Sequence, residues 1–145
     1  MRPDALAQEI AQLLAPLMPS PADGSPALDA AAVAALLAPP PKPDMGDMAF
    51  PCFTLARSLR TAPPKIAAEL ATKFAAKVEA DGPLPLIEQA QAAGPYLNLR
   101  LRPHEAGALL LPAWARGERP DYRGTPAHRE QTVMVEYSQP NTHKA

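Results

Sequence analysis

In YLNLRL, Tyr96–Leu101, a phenol ring, a carboxamide and a guanidinium recur at every second position. On a β-strand that spacing puts Tyr96, Asn98 and Arg100 on one face and Leu97, Leu99 and Leu101 on the other. Unpaired RNA bases are held by such a set: the ring stacks, the amide bonds a base edge, and the cation meets a phosphate. A half-buried strand with a merely solvated outer face shows the same alternation, and this is its commoner use.

A second constellation closes the chain in VEYSQPNTHKA, Val135–Ala145. Thr132–Tyr137 carries apolar residues on both sides, which suits a strand covered on both faces of a parallel α/β sheet. Ligands of such sheets bind beyond the carboxyl ends of the strands. Glu136 falls at that end, with Ser138, Gln139, Asn141, Thr142, His143 and Lys144 in the loop after it. A carboxylate beside a polar loop and a lysine can hold a cationic substrate and a phosphate together. A capped strand with an ordinary polar loop is the plainer alternative.

Composition removes several classes of function. The single cysteine, Cys52, excludes an intrachain disulfide, and it lies in an apolar run that favours burial. His104, His128 and His143 have no ligand spacing, so no metal site is expected. No glycine-rich phosphate loop, nucleophile–base pair or catalytic carboxylate pair is present. No apolar run approaches the ~20 residues of a membrane span, so a soluble cytoplasmic protein is expected. Net charge is -1, divided as -4 over residues 1–47 and +3 over residues 48–145. That field is too weak to argue for a polyanion unaided.

The elements that must position these groups follow from periodicity. Pro3 suits a first helical turn, Leu6, Ile10, Leu13, Leu14 and Leu17 follow at helical spacing, and Pro16 ends or kinks the helix. Asp29 or Ser25 can cap a short second helix through Leu37. APPPKPDMGD reads as a rigid, extended connector. GDMAFPCFTLARSLR reads as a helix capped by Asp47, with Pro51 near its first turn and Phe50, Phe53, Leu55 and Leu59 as apolar surface. The clearest helix starts at Pro64, repeats Ile66, Leu70, Phe74 and Val78, and stops at Gly82. Lys65, Lys73 and Lys77 are assigned to its other side. Two short strands surround the Gly94-Pro95 turn. Pro103 starts a last helix, interrupted at Pro112 and anchored by Trp114. A polar linker follows.

At these residues the chain resembles arginyl-tRNA synthetases, class I enzymes. VMVEYSQPNTHKA is similar to the opening of their catalytic domain. MGDMAFPCFTLARSLRTAPPKIAAELA and AAGPYLNLRL are similar to their N-terminal additional domain. Three motifs in order make the likeness specific. It implies ATP-dependent activation of arginine and transfer to tRNA(Arg). It further implies arginine binding by Glu136, Ser138 and Asn141, and ATP binding by Lys144, with Mg accompanying the ATP. A carboxylate at Glu136 suits a guanidinium through paired, charge-assisted bonds. Tyr96, Asn98 and Arg100 would bind the tRNA D-loop, with Tyr96 stacking on a base and Asn98 bonding it. Ala93 stands where some members carry a polar residue.

The expectation is therefore an N-terminal piece of such a synthetase. Residues 1–116 form an α+β tRNA D-loop-binding domain, with helices packed on a small, mostly antiparallel sheet. Residues 117–131 form a linker, and 132–145 the first strand of an incomplete Rossmann-type catalytic domain. The piece alone is expected to be monomeric, free of bound cofactor and without catalysis. A stand-alone tRNA-binding or interaction module is the alternative from another class. A helical bundle with no RNA partner is a third, favoured if Tyr96 and Asn98 are buried.

Overall fold

The computed structural model describes residues 4–21 and 24–117. The expected linker beyond Gly117 and the expected strand Thr132–Tyr137 lie outside the described residues, as do Glu136, Ser138, Asn141 and Lys144.

Helix α1 (Asp4–Leu14) buries Ile10, Ala11 and Leu14 and tightens into one 3-10 turn, Ala15–Leu17, around Pro16. Proline has no N–H for a further α-turn, which is why the helix stops there. Helix α2 (Ala30–Leu36) starts where the Asp29 carboxylate accepts from the Ala32 N–H at 2.8 Å. It packs on α1 and buries Val33.

Segment Met48–Pro51 departs from the sequence expectation. It is a strand, β1, and the helix begins only at Phe53 (α3, Phe53–Leu59). Asp47 caps a strand end and not a helix. Its N–H donates to the Leu99 carbonyl at 2.8 Å, and its Oδ2 accepts from the Leu101 N–H at 2.8 Å. The proline-rich connector also differs. It pairs once with β1 through Ala38 and Ala49, then makes a 3-10 turn at Pro43–Met45.

Helix α4 (Pro63–Asp81) buries Ile66, Ala67, Leu70 and Phe74 as its periodicity predicts, and Gly82 follows it at φ +86°. Strands β2 (Ile87–Ala93) and β3 (Tyr96–Leu101) form the hairpin around Gly94-Pro95. Gly94, at φ +56°, supplies the positive φ that such tight turns require. The sheet is fully antiparallel in the order β1-β3-β2, so β3 is paired on both edges.

Phe50, Leu97, Leu99 and Ile87 share the inner face, fully buried in one core with α4. The pairing shifts between Ile87 and Gln89. This bulge lets Ile87 face inward opposite Leu101 while Gln89, two residues on, faces outward opposite Arg100. Burying a leucine contributes roughly 1.5–3 kcal/mol. The Leu97, Leu99 and Leu101 row therefore contributes on the order of 5–9 kcal/mol, comparable with the net stability of a domain. A one-residue slip of β3 would forfeit it.

Helix α5 (Pro103–Ala115) runs through Pro112 without a break, and Trp114 is 53% exposed, so it does not anchor the helix. No described helix is long and apolar enough to cross a membrane, and no described His, Cys, Asp and Glu cluster could hold a metal.

Two positions carry stability predictions. Gly46 sits at φ +127°, and a Cβ there would stand 2.7 Å from the Leu99 carbonyl oxygen. Gly46→Ala should lose about 1–3 kcal/mol in urea unfolding, more than Gly82→Ala, whose Cβ meets nothing within 4 Å. Cys52 is fully buried, and burial pushes its thiol from 9.0 up to about 11, opposed only partly by a backbone hydrogen bond from Leu97. The unfolded thiol ionises first as pH rises. The stability it contributes is whole below pH 9 and is lost toward about pH 11, a change of about 2–3 kcal/mol. Cys52→Ala should flatten that part of the pH–stability curve.

Candidate nucleic-acid interface

The sheet has one face sealed by α4 and one open. On the open face β3 presents Tyr96, Asn98 and Arg100, and β2 presents Ala93, Gln91 and Gln89 as their register partners. The predicted row is thus brought together, but its members differ in depth. Tyr96 is 39% exposed and Arg100 is exposed, whereas Asn98 is only 6% exposed. The reason is that β3 is central. Asn98 has Ala49 beside it on one strand and Gln91 on the other.

Asn98 lines a recess of about 190 Å³ together with Gln89, Gln91, Ala93 and Arg100 from the sheet. Asp44 and Met45, from the 3-10 turn, complete the rim. No side-chain nitrogen or oxygen among the described residues is sealed from solvent without a partner. The Asn98 amide bonds to no other described group, so it opens to the recess. An amide that opens to a recess and has no protein partner is available to a ligand that bonds it.

The electrostatics of the recess are mild. The Arg100 guanidinium donates to the Asp44 backbone carbonyl at 3.3 Å, and both residues line the recess. Apart from Arg100 and Asp44, which bear opposite charges, the lining is neutral, which suits a neutral, polar, planar group better than a bare phosphate. The lysines of α4 point elsewhere, because α4 covers the opposite face of the sheet. Lys65 and Lys73 are exposed there, while Lys77 is only partly so and pairs with Asp81 at 2.8 Å.

One residue was not legible as part of this surface. Phe53 counted only as apolar helix surface, yet it is 53% exposed, and its ring centroid lies 5.6 Å from that of Tyr96 at an interplanar angle of 83°. The pairing of Pro51 with Tyr96 and the Cys52 N–H bond to the Pro95 carbonyl, 3.0 Å, hold the start of α3 against the hairpin turn. Edge-to-face rings attract each other by about 0.5–1.5 kcal/mol beyond their burial, which favours this orientation of the tyrosine. No local pattern around Phe53 signals this, because the contact joins segments more than 40 residues apart.

The family model described as Arginyl tRNA synthetase N terminal domain matches residues 3–101, which include all of β3. The arginine–tRNA ligase of Bdellovibrio bacteriovorus is 38% identical over 105 residues, covering 72% of this chain and 16% of that protein. Its counterpart in Treponema pallidum is 41% identical over 106 residues, 72% of this chain and 17% of that protein. The solved Thermus thermophilus arginyl-tRNA synthetase is 36% identical, with a TM-score of 0.46, over 83% of this chain and 16% of that one. The chain thus matches about a sixth of the length of these relatives. With the family model covering all but the last part of the described residues, the chain belongs to the arginyl-tRNA synthetase N-terminal domain family.

Proposed function

We propose that this chain is the tRNA-binding part of an arginine–tRNA ligase, and that the open face of its sheet receives an unpaired base of the tRNA D-loop. The observation that carries this reading is the exposed Tyr96 ring next to the unpartnered, recessed amide of Asn98. Tyr96 stacks on the base, Asn98 bonds its edge, and Arg100 lies at the rim within range of a neighbouring phosphate. The uncharged floor and the mild rim fit recognition of the base itself, with the backbone contributing weaker, salt-dependent attraction.

The complete ligase would activate arginine with ATP and transfer it to tRNA(Arg). Glu136, Ser138 and Asn141 would hold arginine, and Lys144 the ATP phosphates with their Mg. This assignment rests on the resemblance of VMVEYSQPNTHKA to the start of the family's catalytic domain. In this reading the described domain binds tRNA, and activation and transfer belong to the complete ligase.

Titration of a tRNA(Arg) transcript with the 145-residue chain tests the reading. Tyr96→Ala should weaken binding by about 1–3 kcal/mol, roughly 5- to 150-fold, and Tyr96→Phe should retain most of it. Equal affinity of wild type and Tyr96→Ala would remove the stacking role. Phe53→Ala should weaken binding less than Tyr96→Ala does, since it only frees the tyrosine ring to reorient. An effect as large as that of Tyr96→Ala would show that Phe53 contacts the base directly.

A further inference from the structure

We infer that Gln91 is a second edge-reading residue: with Asn98 it forms an amide pair that recognises the hydrogen-bonding edge of the base stacked on Tyr96. This inference rests on the base-binding reading above and extends it to a residue on the neighbouring strand.

Three observations converge on Gln91. It is the direct register partner of Asn98 across the hairpin, and both line the same recess. Partners directly opposite in an antiparallel pair have Cβ atoms about 4.5–5.5 Å apart, and diagonal neighbours about 7–8 Å, still within reach of long or aromatic side chains. Gln91 is thus adjacent to Asn98 and diagonal to Tyr96. Its side chain is exposed and makes no hydrogen bond to another described residue, so no structural partner occupies it.

The third observation concerns its neighbours on β2. Ala93, opposite Tyr96, offers no polar group, and its small side chain leaves that corner of the recess open. Gln89, one pair further on, stands opposite Arg100, beyond Asn98 as counted from the ring. Gln91 is therefore the amide of β2 placed to meet a base that lies over Tyr96 and Asn98.

Two adjacent amides offer four N–H donors and two carbonyl acceptors without charge. They suit a planar group that carries a donor and an acceptor side by side, as the edges of unpaired bases do. The pair would convert stacking, which tolerates every base, into a preference among bases.

The test uses the full chain and a set of tRNA(Arg) transcripts carrying each of the four bases at single D-loop positions. With wild type, one position should show a base preference. Gln91→Ala should lower affinity for the preferred base by about 2- to 12-fold and flatten the preference, because one neutral hydrogen bond is lost. Gln91→Glu replaces a donor by an acceptor at nearly constant shape, and should reorder the preference. Both variants should unfold at the wild-type urea concentration, since Gln91 is exposed. Unchanged preference in both Gln91 variants, with Tyr96→Ala still weakening binding, would overturn the Gln91 assignment and leave the stacking role standing. No effect from Tyr96→Ala would overturn both.

Discussion

The register of β3 is the constraint on which the rest of the structure depends. Side chains alternate along a strand, so one setting of β3 decides at once what enters the core and what faces outward. Leu97, Leu99 and Leu101 are sunk against Phe50, Ile87 and α4, and their burial fixes Tyr96, Asn98 and Arg100 on the open face. The register is held at both ends of the strand. At one end the Gly94-Pro95 turn joins β3 to β2, and at the other Asp47 bonds Leu99 and Leu101 through its backbone and its carboxylate. Gly46 makes that second clasp possible, because no side chain fits between it and the Leu99 carbonyl. The apolar row thus positions the polar one.

Much of this was legible in the chain because the signals were local. Asp29 sits one residue before α2 and caps it. Pro16 stops α1, and Gly82 follows α4. The hairpin was readable from a turn dipeptide and strict alternation. What failed was set by contacts distant in sequence. Asp47 before an apolar run with a nearby proline looks like a helix cap, yet its carboxylate serves an N–H 54 residues away. MAFP becomes a strand because β3 offers it an edge, which no window around Met48 reveals. The burial of Asn98 has the same origin: alternation gave its face correctly, but not that a third strand and the Pro43–Met45 turn would deepen its surroundings. Phe53 joined the site only through the pairing that brings Pro51 to Tyr96.

The open face combines features that a merely solvated strand does not need. A tyrosine restrained edge-to-face by an exposed phenylalanine costs apolar exposure. A recessed asparagine keeps its amide without a protein partner and open to the recess. Both make sense if a ligand completes them. Under the proposed function, the ring and amides would select the base and the phosphate backbone would add weak, salt-sensitive attraction. The chain's membership of the arginyl-tRNA synthetase N-terminal domain family is compatible with the tRNA ligand proposed for this face.

The most direct test of this account is amide chemical-shift mapping of the chain during titration with tRNA(Arg). Shifts should cluster on the open face, at Asp44–Met45, Phe53, Gln89–Gln91 and Tyr96–Arg100, while Lys65, Lys73 and their neighbours on α4 stay still. Shifts confined to the α4 surface, with Tyr96 and Asn98 unmoved at saturating tRNA, would contradict the account.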